Sequence, residues 1–301
     1  MIPQPADPLA VRRAVLSEFF WLLGLPEESP LRRVLQPLLD PVVARFTDLA
    51  AEFDQGVARV GLPVAIQPYI PRFTHALTAL GVDHVPAAGP ALLVSNHPGA
   101  YDLFSALAQL PRADIRVIVS EISILRQLPA TVEHFIFIGR TEQSRMAAVR
   151  AGVRQLREGG LLFIFPGGIV DPDPAFMSGA AHALQRWSPS LELFLRRAPD
   201  TRVVPTVVSG VLSPGWLRSP VTRLRQEAKD KQKVAEACQV MQQLIAPGSL
   251  RTHPLVTFGP ALDAAELLRK DAPVPPLQAI VEHQRTLLLL HQYIRAAGLV
   301  P

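Results

Sequence analysis

The chain of 301 residues is 49% hydrophobic and only 19% charged, with 30 Lys and Arg against 26 Asp and Glu for a formal net charge of +4. That length allows one large α/β domain, or one with a helical appendage, and the longest apolar runs, Leu161–Phe165 and Leu287–Leu290, fall far short of the roughly 18 residues a membrane-crossing helix needs. With no basic-then-apolar leader and a mean hydropathy of +0.21, the sequence reads as a cytoplasmic protein, soluble or associated peripherally with a membrane.

The first eighty residues read as a helical module. Asp7-Pro8, Ser29-Pro30 and Asp40-Pro41 each place a capping side chain before a proline at a first helical position. Gly24 closes the first helix, Gly61–Pro71 reads as a proline-containing linker, and a last helix is expected around Arg72–Leu80. From about residue 81 to 301 the pattern changes to short apolar runs alternating with helical segments, which predicts an α/β domain. Its expected strands are Ala91–Ser95, Ile115–Val119, Phe135–Ile138, Leu161–Phe165, Val203–Val208 and Leu255–Phe258. Helices are expected over Met146–Arg157, Ser190–Arg197, Thr222–Ile245, Asp263–Lys270 and Leu277–Arg295, with a long excursion over Asp171–Pro189. The fold class is therefore α/β, a mixed central sheet flanked by helices, with N-terminal and C-terminal helical additions.

Three apolar strands release polar or glycine residues at their ends, which is where ligands sit in open α/β sheets. The first ends in Ser95-Asn96-His97-Pro98-Gly99-Ala100-Tyr101-Asp102. The second ends in Phe137-Ile138-Gly139-Arg140, the third in Phe165-Pro166-Gly167-Gly168. A carboxylate at the head of a helix accepts a hydrogen bond from one imidazole nitrogen and leaves the other free to take a proton, so His97 and Asp102 are the candidate catalytic pair. Gly167 and Gly168 allow main-chain N–H groups to approach an oxygen ligand. Taken alone, each stretch also reads as a turn or a solvated arginine.

Together, in this order, the blocks resemble the glycerolipid acyltransferase family, which includes lysophosphatidate and glycerol-3-phosphate acyltransferases. Val203-Val204-Pro205-Thr206-Val207-Val208 resembles the family's last, proline-containing motif, and the resemblance spans about Gly81 to Leu262. It implies transfer of a fatty acyl group from acyl-CoA or an acyl carrier protein to a hydroxyl of a glycerolipid or other lipid alcohol, with no cofactor. It makes His97 the general base, Asp102 its orienting partner, and Arg140, Gly167 and Gly168 contacts to the acceptor. The chain departs from the family where Gly167 replaces a glutamate, and where Ser120 precedes Glu121 in place of a lysine. Pro166-Gly167-Gly168-Ile169-Val170-Asp171 is closer to the third motif of diacylglycerol-type acyltransferases, in which Asp171 stands in for the missing glutamate and tilts the acceptor towards a plain hydroxyl.

The expected partners are an acyl thioester, a lipid acceptor and a membrane surface. Candidate membrane contacts are Phe19-Phe20-Trp21 and the excursion bearing Phe176, Met177 and Trp187. Nucleic acid is not expected, since the positive balance is mild and no base-stacking aromatic series accompanies it. Lone Cys238 excludes an internal disulfide, and no second histidine stands at ligand spacing from His97, so no metal is expected. The competing reading is a non-catalytic lipid-binding protein on the same fold, against which stand the retained His97 and Asp102.

Overall fold

A computed structural model describes residues 6–22, 24–223 and 227–299. Its principal helices are α1 (Pro8–Leu22), α2 (Pro30–Val60), α3 (Asp102–Leu107), α4 (Glu142–Arg157), α5 (Ser190–Arg197), α6 (Ala228–Ile245) and α7 (Pro276–Ala296). Its strands are β1 (Thr78–Leu80), β2 (Ala91–Ser95), β3 (Ile115–Ser120), β4 (Phe135–Ile138), β5 (Leu161–Ile164), β6 (Arg202–Ser209), β7 (Leu255–Phe258) and β8 (Leu262–Asp263). The chain divides into two compact units. One comprises Met1–His75, Ile122–His134 and Leu212–Thr252, the other Ala76–Glu121, Phe135–Val211 and His253–Pro301. The sequence places a single boundary near residue 80. In the structure the segments 122–134 and 212–252 also group with the N-terminal helices.

In the first unit, Val11, Val15 and Phe19 of α1 pack with Val42, Val43 and Ala50 of α2 and with Leu244 of α6. Gly24, at φ 70°, lets the Leu25 N–H return to the Phe20 carbonyl and close α1 as the sequence predicts. Asp40-Pro41, in contrast, does not begin a helix. α2 runs unbroken for 31 residues through Pro37 and Pro41. Each proline removes one helical hydrogen bond, at a cost of about 3 kcal/mol. The burial of Val42, Val43, Phe53 and Val57 offsets it, at about 1.5–3 kcal/mol for each large apolar side chain. Asp54, buried in α2, accepts from the Ala130 and Thr131 N–H groups at 3.1 and 2.8 Å and from the Thr131 hydroxyl at 2.8 Å. Of the expected membrane contacts Phe176 is exposed, and three others are corrected here. Phe19 and Phe20 are core residues of this unit, and in the second unit Trp187 is buried as well. The Trp21 side chain lies outside the described residues.

In the second unit the sheet order is β1-β7-β6-β2-β5-β3-β4, with β8 also on β6. β2 lies parallel to β5 and β6, β3 lies parallel to β4 and β5, and β6–β7 is antiparallel. The sheet is mixed, as expected. Thr78–Leu80, expected at the end of a helix, is instead an edge strand parallel to β7. Three residues are too few to show a strand period. Both faces of the central strands are buried, which is why they read as unbroken apolar runs. Leu92, Val94, Leu162 and Val207 pack with Leu156, Phe194, Ile280 and Leu288 from the covering helices. A Cβ on Gly152 would come within 2.7 Å of Phe194, so a glycine at mid-helix lets α4 approach its neighbours.

A single buried arginine ties together the strand starts. Arg112 donates to both oxygens of Asp114 at 2.7 and 2.5 Å and to the carbonyls of Pro86, Gly89 and Gly159. These residues lead into β2, β3 and β5, so the opposite, C-terminal strand edge is the one left to loops.

Beneath that edge lies a polar network under α7. The His291 Nε2 is 2.7 Å from the Ser209 hydroxyl and its Nδ1 2.8 Å from that of Thr257. Arg295 donates to the Ser209 hydroxyl at 3.1 Å, and the Gln284 amide donates to the Thr206 carbonyl at 2.8 Å. Burial, with the Arg295 charge nearby, pushes the imidazole pKa from 6.5 down to about 3. The unfolded chain takes up this proton near pH 6.5 and the folded chain only near pH 3. Stability contributed by the neutral ring is therefore lost as pH falls through that window, by up to roughly 5 kcal/mol. Urea melts from pH 7 to 3.5 should show a flatter acid slope in His291→Gln than in the wild type. Identical slopes would show that His291 does not carry this linkage.

Candidate active site

β2 ends on the buried Ser95, and the polar loop starts at Asn96. Its side chain accepts from the Val208 N–H and donates to the Val208 carbonyl, both at 2.8 Å. The amide thus adds one rung to the β2–β6 ladder beyond Ser95↔Thr206 and fixes the point from which the loop departs. Gly99 then turns at φ 92° and Ala100 at φ 52°, a left-handed conformation that costs a non-glycine residue roughly 1 kcal/mol. The turn brings the chain back so that α3 begins at Asp102.

There His97 and Asp102 meet. His97 Nδ1 is 2.7 Å from Asp102 Oδ2. Asp102 is 1% exposed, and its carboxylate also accepts the Gly99 N–H at 2.9 Å and the Leu103 N–H at 2.5 Å. Surrounded by donors, the carboxylate is an acceptor, and Nδ1 is placed to donate to it. The His97 side chain is 31% exposed, and the Phe165 ring stacks on it with centroids 4.2 Å apart. The arrangement is an imidazole oriented by a buried carboxylate on a partly open surface.

A second carboxylate holds the backbone of the same residue. Asp171 Oδ2 accepts the His97 N–H at 2.9 Å, and the Asp171 N–H donates to the His97 carbonyl at 2.6 Å. Arg186 donates to Asp171 Oδ1 at 2.7 Å. Sequence reasoning assigns Asp171 to the acceptor; in the structure it is buried and both its oxygens bond to the protein. Two residues on, buried Asp173 accepts the Gly210 N–H at 2.8 Å and the Val211 N–H at 3.1 Å. The 171–173 stretch therefore links the His97 loop to the end of β6.

Gly167 and Gly168 follow β5, the immediate neighbour of β2, and lie on the same strand edge as His97. Gly168, at φ 68°, requires glycine, and its N–H closes the turn onto the Phe165 carbonyl. The Gly167 N–H makes no hydrogen bond within the described residues. Arg140 is exposed beyond β4, again at the C-terminal edge, with its carbonyl held by Arg145. From β2 to β4 there are three strand spacings, about 14 Å. His97 and the glycine turn are thus neighbours, and Arg140 flanks them at the rim. Among the described residues no group of three His, Cys, Asp or Glu side chains is placed to hold a metal.

Sequence reasoning missed Asn96, Phe165, Asp173 and Arg186. Asn96 and Phe165 lie inside the motif stretches and were legible as neighbours of functional residues. Arg186, fifteen residues from Asp171, has no local signal.

Burial raises the Asp171 pKa, and the His97 N–H and the Arg186 charge counter it. For an acid whose folded pKa is raised, the stability gained from the neutral form is present below its unfolded pKa and lost as pH rises through the folded one. At neutral pH the charged carboxylate therefore depends on Arg186. Arg186→Ala should destabilise the protein by about 1–2 kcal/mol at pH 7, discounted because the arginine is 40% exposed. The loss should shrink at pH 4. Urea melts at the two pH values test this, and an equal loss at both would contradict it.

Residues 77–209 match the acyltransferase family model. Among solved structures, the chain is similar to the 1-acyl-sn-glycerophosphate (LPA) acyltransferase PlsC from Thermotoga maritima, at 15% identity over 95% of this chain and 97% of that one, with a TM-score of 0.42. No curated protein matches. The matched segment holds β2 to β6, with His97, Asp102, Phe165, Asp171 and Arg186.

Proposed function

We propose that the protein transfers a fatty acyl group from a thioester, acyl-CoA or an acyl carrier protein, to a hydroxyl of a glycerolipid or other lipid alcohol. The observation that carries this reading is the 2.7 Å contact between His97 Nδ1 and a buried, fully bonded Asp102. His97 Nε2 takes the proton of the acceptor hydroxyl as its oxygen attacks the thioester carbonyl carbon. Asp102 stabilises the imidazolium that results. The tetrahedral oxyanion then collapses, the C–S bond breaks, and the thiolate leaves with the proton from Nε2. The Gly167 N–H, at the end of the neighbouring strand β5, is the main-chain donor assigned to the developing oxyanion. Arg140 at the rim suits an anionic acceptor head, and with glycine at 167 in place of a carboxylate a neutral alcohol is accommodated too.

His97→Ala should reduce turnover by two or more decades with little change in melting temperature, the partly exposed ring lying in a loop. Asp102→Asn keeps an oxygen for the Gly99 and Leu103 N–H groups but fails to fix the ring's tautomer. It should lose on the order of 10²-fold or more. Undiminished transfer in either variant sinks the mechanism.

A lipid acceptor has to be reached from the membrane surface, since no helix among the described residues is long and apolar enough to cross a bilayer. In the first unit, Leu31, Val34 and Leu38 are exposed at i, i+3 and i+7 on the start of α2, and Leu9 is exposed on α1. Arg13, one turn from Leu9 on α1, is exposed as well. Apolar side chains beside cations suit an anionic bilayer, each basic residue near the surface contributing about 1 kcal/mol. Replacing Leu31, Val34 and Leu38 by Ser should weaken co-sedimentation with anionic vesicles several-fold and leave the melt unchanged. Vesicle binding that survives the triple change excludes this face.

A further inference from the structure

Helix α4 returns from the site edge across one face of the sheet, packed on β3, β4 and β5. Its outward face carries a charge pattern that the His97 site does not use. Arg150, Arg154 and Arg157 are exposed and fall within about 60° of one another around the helix. Arg140 and Arg145 are exposed at its start, towards the strand edge that holds His97. The acids of this stretch, Glu142 and Glu158, stand at its two ends. Arg157 donates to the Arg197 carbonyl; none of the five arginines forms an ion pair within the described residues. The one large apolar side chain exposed among them is Met146.

The convex form of this surface narrows the choice of ligand. Small molecules, coenzymes included, bind in concave sites that enclose them, and an open helix face gives a nucleotide nothing to enter. A bilayer calls for apolar area beside the cations, of which Met146 alone is on offer. No aromatic accompanies the stripe to stack bases. A row of exposed guanidinium groups with no carboxylate partner, along a rigid helix, fits a row of carboxylates on a protein partner.

We propose that the arginine face of α4 docks a small acidic carrier protein that presents the acyl thioester on a flexible arm. This rests on the acyl-transfer reading above and selects the donor for it. The carrier's acidic helix lies along Arg150, Arg154 and Arg157. Its arm passes over the strand edge beside Arg140 and spans the three strands, about 14 Å, to His97. The reaction is unchanged: the arm's thiolate is the leaving group and takes the imidazolium proton.

The test uses the full chain and the double variant Arg150→Glu/Arg154→Glu, neither position being part of the site. KM for the acyl-carrier substrate should rise tenfold or more, with kcat and the kinetics with acyl-CoA unaltered, and salt should raise the wild-type KM for the carrier. Arg150→Gln/Arg154→Gln should show a smaller rise, which serves if charge reversal disturbs folding. An unchanged KM for the carrier in both variants overturns the proposal. So does a wild-type enzyme that turns over acyl-CoA but not the carrier, or a variant that loses anionic vesicles and keeps the carrier. If the wild type transfers from neither donor, the acyl-transfer reading itself fails. Calorimetric titration of the unacylated carrier then still decides the docking, supported by binding that the double variant loses and overturned by none.

Discussion

His97 is held twice, and the site follows from that. Asp102 fixes the ring through Nδ1, and Asp171 fixes the main chain through hydrogen bonds in both directions. Either carboxylate alone leaves a freedom that matters. A fixed ring on a loose loop swings with the loop, and a fixed loop with an untethered ring allows the wrong tautomer. A misplacement of about 1 Å costs a catalytic group on the order of 10²-fold, so two anchors on one residue suit the role proposed for it. The two carboxylates differ in their surroundings. Asp102 sits at the head of α3 among main-chain donors. Asp171 is buried enough that its pKa rises, and it relies on the half-exposed Arg186.

Behind this pair lies a chain of polar contacts at the end of β6. Asn96 joins Val208, Asp173 joins Gly210 and Val211, and Ser209 joins His291 and Arg295. Gly210, at φ 72°, has no room for a Cβ because the Arg295 guanidinium occupies it. Consecutive residues 208 to 211 thus bond to the His97 loop, to the 171–173 stretch and to the last helix. The end of one strand is the foundation for three other segments, and a neutral His291 is part of its cost at low pH.

The parts legible from sequence were those with a local cause. β2, β4, β5 and β7 announced themselves as apolar runs ended by Gly, Pro or a polar residue, and the His97–Asp102 spacing suits one turn into a helix. Other features depend on partners distant in the chain. Thr78–Leu80 becomes a strand only because β7 lies beside it. α2 survives Pro37 and Pro41 only because its buried face outweighs the missing hydrogen bonds. Phe19 and Phe20 look the same on an amphipathic pattern whether they face lipid or a second helix, and tertiary packing put them inside. Asp171 was recognised as a functional acid, but its direction was not. Its two oxygens turn inward to His97 and Arg186, and Arg186 had no motif to mark it.

The proposed reaction depends most directly on the state of one imidazole. Nitrogen-15 NMR of the His97 ring in the folded protein at neutral pH reports which nitrogen carries the proton. The proposed reaction requires Nδ1 protonated and donating to Asp102, no proton on Nε2, and a loss of that preference in Asp102→Asn. A proton on Nε2 in the wild type would contradict it, because the ring would then have no lone pair to offer an acceptor hydroxyl.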